Sequence, residues 1–363
     1  MQNEELILGW DVGGTKSAAV VGTAQGEVLA REAWASDAHE GPRHMLDVFL
    51  AHARALRGRF AGVARVGVSI GGPLNTRTGE ILSPPHLPGW DHIPLTEILR
   101  RELGLPVVVE HDAAACLEAE WLWGAAVGAT HAAYLTCGTG FGAGVMIDGR
   151  VLRGPAGQSP EIGHVRLADD GPVMFGKAGC SESFCSGEGL PKLAAMMFPN
   201  RFAAPDRNGL EDACNDDAET RGRDAGVPPA SGEAGLTSSN GLGDGAHNAG
   251  ETPASRPVVV TARRLHERMQ QGDADARAVL EVSARRTGQV CGMLADLVAP
   301  QVIVLGSFSR YFGPWWVEAV RTEFIREALP INGGQTKIVP SGLAERLQDL
   351  SAIAPCVFEE RYA

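Results

Sequence analysis

Short apolar runs separated by glycine turns open the chain, a pattern that predicts consecutive β-strands. Helical periodicity follows over about 42–60 and again over 95–103. The predicted strands of this half lie at residues 7–10, 18–21, 28–30, 66–70 and 107–110. Strands that alternate with helices in this way favour an α/β fold.

The same layout returns in the second half of the chain. Apolar runs at 132–135 and 302–305 predict strands, and helical periodicity covers 261–298 with an interruption at 272–274. The pattern therefore predicts an α/β layout that occurs twice along the chain.

One segment interrupts the pattern. Residues 203–256 contain no aromatic residue, no Ile, no Met and a single Val, but many Gly, Ala, Asp, Ser and Pro. Such a composition buries too little apolar surface to offset the entropy lost on ordering. We predict a disordered insertion at about 200–257, with a substrate lid as the alternative.

Charge and cysteine content narrow the function classes. Among 363 residues, 44 acidic and 32 basic side chains give a net charge of −12. An acidic chain without a basic stripe is a poor candidate for binding nucleic acid or an anionic membrane. No apolar run approaches the roughly 18 residues of a membrane helix, and the acidic N-terminus does not resemble a secretory signal. Seven cysteines without a C-x-x-C pair favour reduced thiols, so we expect a cytoplasmic protein.

Two glycine-rich turns are candidate phosphate sites. The first contains Asp11, Gly13, Gly14, Thr15 and Lys16 between two predicted strands. Glycines admit an anion close to the backbone, the threonine offers a hydroxyl, and the aspartate could hold a metal-bound water. A plain tight hairpin is the alternative.

The second turn follows another strand and includes Gly138, Thr139 and Gly140. Its spacing fits neither a dinucleotide fingerprint nor a P-loop, and a strand rather than a helix follows it. Two opposed turns of this type can clamp the phosphates of a nucleotide between two domains.

Acidic residues supply the candidate chemistry. Asp112 directly follows the strand at 107–110, where a carboxylate can accept a proton from a substrate hydroxyl. A helix N-cap is the alternative role. Glu161, His164 and Glu182 lie in a glycine-rich region and suit a polyhydroxy ligand, with a solvated loop as the alternative.

Together these motifs resemble the ROK family of repressors, open reading frames and kinases, a branch of the hexokinase–actin superfamily of two-domain ATPases with a ribonuclease H-like fold. The resemblance covers nearly the whole chain outside about 200–257. It is carried by the two glycine turns, Gly71-Gly72-Pro73, Leu87-Pro88-Gly89-Trp90, Glu110-His111-Asp112-Ala113, Glu161-Ile162-Gly163-His164, Gly179-Cys180-Ser181-Glu182 and Val304-Leu305-Gly306.

The resemblance implies ATP, Mg²⁺ and a sugar as ligands, and a homodimer. It also implies two α/β domains with a cleft between them: a smaller one of about 1–120 with a C-terminal helix in 344–363 that packs back on it, and a larger one of 121–343. Asp112 would be the catalytic base, and Gly306 would contact the adenosine. The implied sugar site comprises Gly72, His111, Asp112, Glu161, His164 and Glu182, and the implied ATP site comprises Asp11, Gly13, Gly14, Thr15, Lys16, Gly138, Thr139, Gly140 and Gly306.

Three positions depart from the family pattern. Of the cysteines that hold a structural zinc with His164, only Cys180 remains, because Val173 and Phe175 replace the other two. Zinc favours four N or S ligands, so we predict no structural zinc and an apolar plug in its place, which leaves His164 free for the sugar. His111 replaces the family's sugar-binding Asn, and a serine follows Gly306 instead of a second glycine.

The leading functional hypothesis is an ATP-dependent kinase of a hexose or N-acetylhexosamine. The alternative is a catalytically inactive sugar sensor of the same family. The first phosphate turn begins at residue 11, so we expect no DNA-binding domain before it, and the charge of −12 agrees with that expectation. A nicotinamide-dependent dehydrogenase is excluded by the spacing of both glycine turns.

Overall fold

The computed structural model describes residues 5–203 and 257–362 of the chain. Its strands are β1 (Leu6–Val12), β2 (Lys16–Thr23), β3 (Val28–Ala35), β4 (Val63–Ile70), β5 (Leu74–Asn75), β6 (Glu80–Leu82), β7 (Asp91–Pro94), β8 (Val107–His111), β9 (Ala132–Cys137), β10 (Phe141–Ile147), β11 (Arg150–Val151), β12 (Val173–Met174), β13 (Lys177–Ala178), β14 (Phe202–Ala203), β15 (Val258–Val259), β16 (Val302–Leu305) and β17 (Lys337–Pro340). Its α-helices are α1 (Gly41–Arg59), α2 (Leu95–Leu103), α3 (Asp112–Trp123), α4 (Ser181–Cys185), α5 (Gly189–Met197), α6 (Ala262–Gln270), α7 (Ala274–Val298), α8 (Ser307–Tyr311), α9 (Pro314–Glu327), α10 (Pro330–Gly333) and α11 (Leu347–Tyr362).

The first sheet has the order β3-β2-β1-β4-β8. Strands β1, β2 and β3 are antiparallel neighbours, whereas β1, β4 and β8 run parallel. The central strand β1 is buried along most of its length, whereas the edge strand β3 alternates between half-buried and exposed residues. A central strand that is covered on both faces needs a continuous apolar run. An edge strand that is covered on one face needs apolar residues only at alternate positions.

The second sheet repeats this arrangement in the order β11-β10-β9-β16-β17. Again the first three strands are antiparallel and the last three parallel. The prediction of an α/β layout that occurs twice is confirmed.

Helices cover both sheets in layers. On the outer face of the first sheet, α1 places Met45, Phe49 and Leu56 in a buried cluster with Trp10. Helices α3 and α11 contribute residues such as Leu117 and Ile353 to a second buried cluster that also takes side chains from both sheets. Helices α4, α5, α7 and α9 pack around the remaining face of the second sheet in a third cluster. The helix α3 that begins at the candidate catalytic residue therefore lies between the two sheets.

The predicted insertion at about 200–257 lies almost entirely outside the described residues. At its edges, Phe202 pairs with Val258 and Ala203 with Val259 in a short parallel ladder. No helix within 5–203 and 257–362 combines the length and apolar character that crossing a bilayer requires.

Candidate functional site

Three parallel strands of the first sheet end side by side. Val12 of β1 pairs with Ile70 of β4, which in turn pairs with His111 of β8. The first glycine turn, the Gly71–Pro73 segment and Asp112 therefore leave the sheet at the same edge. Ligands of α/β proteins bind at this carboxyl edge of parallel strands.

The second sheet ends in the same manner. Leu135 of β9 pairs with Leu305 of β16, so the turn at 138–140 and Gly306 follow at one edge. A Cβ atom on Gly306 would lie 2.6 Å from the hydroxyl of Tyr134 and 2.8 Å from the carbonyl oxygen of Leu135. Only glycine fits there, because such distances are below any real contact.

Hydrogen bonds occupy two carbonyl groups of the first glycine turn, those of Gly13 and Thr15. The Ser36 hydroxyl donates to the Gly13 oxygen (2.6 Å), and the Ser36 backbone N–H donates to the Thr15 oxygen (2.9 Å). Within the described part of the chain, the N–H groups of Gly14 and Thr15 have no hydrogen-bond partner. A turn with satisfied carbonyls and open N–H groups fits a phosphate.

The second glycine turn has the same character. The backbone N–H groups of Gly187 and Glu188 donate to the oxygens of Gly138 (2.7 Å) and Thr139 (3.2 Å). The N–H of Thr139 makes no hydrogen bond to the residues that the structure describes. This turn also fits a phosphate, and the Ser307 hydroxyl lies 3.7 Å from where a Cβ of Gly138 would stand.

The two turns are linked by a contact that sequence reasoning missed. His86 Nδ1 lies 3.4 Å from Glu188 Oε1. The carbonyl oxygen of His86 lies 2.8 Å from the Cβ position of Gly14, and Glu188 bonds the second turn at Thr139. No local motif signals this pair, because its members are about a hundred positions apart in the sequence.

Asp11 lies near the end of β1, beside the first glycine turn. Strand alternation puts it on the same face as Ile7, which joins the core around α11. Burial, with added repulsion from Asp349 and Asp112, raises the pKa of Asp11 to about 7, although Arg31 opposes the shift. Mg²⁺ prefers oxygen ligands, and the half-buried carboxyl of Asp11 lies among other acids. Because it also lies beside a turn whose N–H groups are unpaired among the described residues, its position fits the binding of Mg²⁺ together with a phosphate.

Asp112 is the first residue of α3 and its side chain is 47% exposed. Its Oδ1 accepts a hydrogen bond from the Ala113 N–H (2.7 Å). The N-cap residue is His111, whose Nδ1 accepts from the same N–H at 3.3 Å. Asp112 and His111 therefore share the N-terminal cap of α3. The exposed part of the Asp112 carboxylate remains accessible to a substrate.

His111 is buried, with the ring against Gly72. A Cβ on Gly72 would lie 2.7 Å from Cδ2 and 3.0 Å from Nε2 of the histidine. Because Nδ1 accepts from the backbone, a neutral ring carries its proton on Nε2. Only a residue without a side chain at position 72 admits this ring.

Glu182 reaches the same region from α4. An ideal Cβ on Gly140 of the second turn would lie 3.6 Å from Glu182 Oε1. Burial raises the pKa of Glu182 to about 7, aided by the charges of Glu188, Glu161 and, more weakly, Asp112. The fold therefore gathers Asp11, Asp112 and Glu182 into one acidic neighbourhood.

His164 and the hairpin that follows it differ from the expectation of an apolar plug. Val173 is 55% exposed and Phe175 is 46% exposed, so neither fills a buried metal cavity. Phe175 instead lies against the exposed His164 ring, with 5.4 Å between ring centroids. The plug is wrong because the β12–β13 turn projects outward. Within the described ranges, no three His, Cys, Asp or Glu side chains form a metal-binding group.

Comparison with known proteins identifies the family of the chain. A family model described as the ROK family matches residues 7–329. The glucokinase of Streptomyces coelicolor is 34% identical over 192 residues, which is 52% of this chain and only 59% of that relative. The glucokinase of Halalkalibacterium halodurans is 26% identical over 355 residues, or 94% of this chain and 92% of that protein.

A solved structure agrees with the fold. The ROK hexokinase from Thermus thermophilus matches with a TM-score of 0.72 and 27% identity, over 99% of this chain and all of that one. This match confirms the predicted two-domain, actin-like ATPase fold.

Proposed function

The chain belongs to the ROK family, and from this premise we propose that it is an ATP-dependent kinase of a hexose or N-acetylhexosamine. The observation that carries the proposal is the convergence of two phosphate-type turns on one acidic neighbourhood. Two of the relatives reported above are glucokinases, and this supports phosphoryl transfer to a sugar as the reaction class.

We propose that the cleft lies between a smaller domain, residues 1–120 with 344–363, and a larger one, residues 121–343. The nucleotide phosphates would bind the open N–H groups of both glycine turns. Asp11 would hold Mg²⁺ through water, and Thr15 and Lys16 would flank the phosphates. Bound Mg²⁺ neutralises charge that develops on the transferred phosphoryl group.

Asp112 is the proposed base. Its exposed carboxylate would accept the proton of one sugar hydroxyl while that oxygen attacks the γ-phosphorus and the bond to the ADP oxygen breaks. Phosphoryl transfer depends on positioning and charge stabilisation. Glu182, Glu161, His164 and His111 would hold the remaining hydroxyls, and Gly72 leaves room for the histidine ring.

Exposed apolar side chains support a homodimer as a further part of the proposal. Leu297 of α7, Ile325 of α9 and Ile331 of α10 are 78%, 70% and 70% exposed. Exposed apolar side chains that form a patch are typical of protein interfaces. Light scattering of wild type and of Leu297→Asp distinguishes a dimer from a monomer.

A coupled ADP-release assay with Mg-ATP and a panel of hexoses and N-acetylhexosamines tests the function. We expect sugar-dependent turnover with at least one member. If no sugar supports turnover while one of them raises the melting temperature, the protein is a sensor and the kinase proposal is wrong.

A further inference from the structure

A half-buried arginine connects the second sheet to the segment that carries the proposed catalytic residue. Arg153 follows β11, and its neighbour Leu152 still donates to Val145 of β10 at 2.7 Å. The Arg153 guanidinium contacts the carboxylate of Glu110, which lies in β8 of the first sheet. The contact therefore crosses from one sheet to the other.

Glu110 transmits this contact to the backbone beside the active site. It is 2% exposed, and its Oε2 is the atom that Arg153 contacts. Its other oxygen, Oε1, accepts a hydrogen bond from the His111 N–H at 2.9 Å. His111 immediately precedes Asp112, so the Glu110 carboxylate contacts the backbone one residue before the proposed base.

A second glutamate completes the buried group. Glu118 of α3 is 1% exposed, and its Oε1 lies 3.3 Å from Arg153 Nη2. Burial and the charge of Glu110 raise the pKa of Glu118 well above its ordinary value. Arg153 opposes this shift, so two buried carboxylates, Glu110 and Glu118, face a single guanidinium.

The chain after Arg153 contacts the first half of the molecule again. The Thr76 hydroxyl donates to the carbonyl oxygen of Gly157 at 3.0 Å. Four residues later comes Glu161, which with His164 belongs to the proposed sugar site; we call residues 161–164 the sugar segment. Residues 153–157 thus contact the first half of the molecule at two points, Glu110 and Thr76, shortly before Glu161.

We propose that Arg153 is a positioning residue that sets the catalytic Asp112 relative to the sugar segment through the buried carboxylate of Glu110. The proposal rests on the proposed kinase function for its consequence in turnover, but its geometric claim is independent of it. A displacement of about 1 Å at a reacting group costs about a hundredfold in rate.

Three variants separate positioning from simple charge neutralisation. Arg153→Met leaves the Glu110 carboxylate buried without its partner, so we expect a lower melting temperature and about a hundredfold lower kcat. The double variant Arg153→Met with Glu110→Gln removes the stranded charge, so the melting temperature returns toward that of the wild type. We expect its kcat to remain low. The KM for ATP should stay within about threefold of the wild type, because neither residue touches the glycine turns.

Arg54→Met is the matched control, because it breaks an exposed ion pair with Glu102. We expect this variant to leave the melting temperature and kcat unchanged.

Amide hydrogen exchange gives a readout that does not depend on activity. In the double variant, we expect exchange in the peptide spanning 108–116 to quicken about tenfold while the melting temperature matches that of the wild type. If kcat recovers together with the melting temperature, or exchange stays unchanged, Arg153 only neutralises a buried charge and the proposal is wrong. A wild type without sugar-dependent turnover would refute the kinase function, and exchange alone would then decide the role of Arg153.

Discussion

Replacement of Asp11 by Asn tests the electrostatics of the proposed phosphate site. Burial and the charges of Asp349 and Asp112 raise the pKa of Asp11 from 3.8 to about 7. About one tenth of this carboxyl is therefore ionised at pH 6 and about nine tenths at pH 8. If the carboxylate helps to hold Mg²⁺, the KM for Mg-ATP falls up to about tenfold between these pH values in the wild type, and less in Asp11→Asn.

Stability provides the second half of this test. Because the folded pKa of Asp11 lies above the unfolded value, the folded state binds the extra proton and stability falls as pH rises from about 4 to 7. Full ionisation of Asp11 lowers the free energy of unfolding by at most about 4 kcal/mol. The free energy of unfolding of Asp11→Asn, relative to the wild type, should rise by about 2–3 kcal/mol between pH 5 and pH 8. Urea denaturation measures it, and a constant difference across that range would refute the reasoning.

Three further predictions follow from the same geometry. The pKa of Glu182 is raised to about 7. If its carboxylate accepts sugar hydroxyls as proposed, we expect the KM for the sugar to fall severalfold from pH 6 to pH 8 in steady-state assays, and Glu182→Gln to show no such fall. Gly306→Ala lowers the free energy of unfolding by about 1–3 kcal/mol in urea denaturation, because the new Cβ meets the Tyr134 hydroxyl. Gly58→Ala is the control: the position in α1 has open space, so the substitution raises the free energy of unfolding by about 0.5–1 kcal/mol. Dialysis against EDTA leaves the melting temperature unchanged, because Cys180 and His164 are too few ligands for structural zinc; a fall that Zn²⁺ reverses would contradict this.

Local sequence patterns predicted most elements that surround the site. Apolar runs and the glycines between them identified β1, β2, β9 and β10, and helix α2 begins and ends where its periodicity indicates. These features depend on neighbouring residues, so a pattern of a few positions is enough to reveal them. The position of Asp112 after a strand followed from the same reasoning.

Contacts between distant segments could not be read from such patterns. Arg153 and Glu110 lie 43 positions apart, and only the arrangement of the two sheets brings them together. Buried acids in an otherwise apolar helix, such as Glu118 in α3, were the one available signal. The outward turn of β12–β13 was missed for a related reason, because substitution of metal ligands by apolar residues does not reveal whether those residues are covered.

Replacement of Asp112 by Asn tests the central claim most directly. Asn keeps an oxygen that can accept the Ala113 N–H, and the side chain is half exposed, so we expect the melting temperature and the sugar Kd to stay close to the wild type. We expect kcat for sugar-dependent ADP release to fall by about 10²–10⁴-fold, because only the proton acceptor is lost. A kcat within threefold of the wild-type value, at equal sugar affinity, would show that Asp112 is not the base.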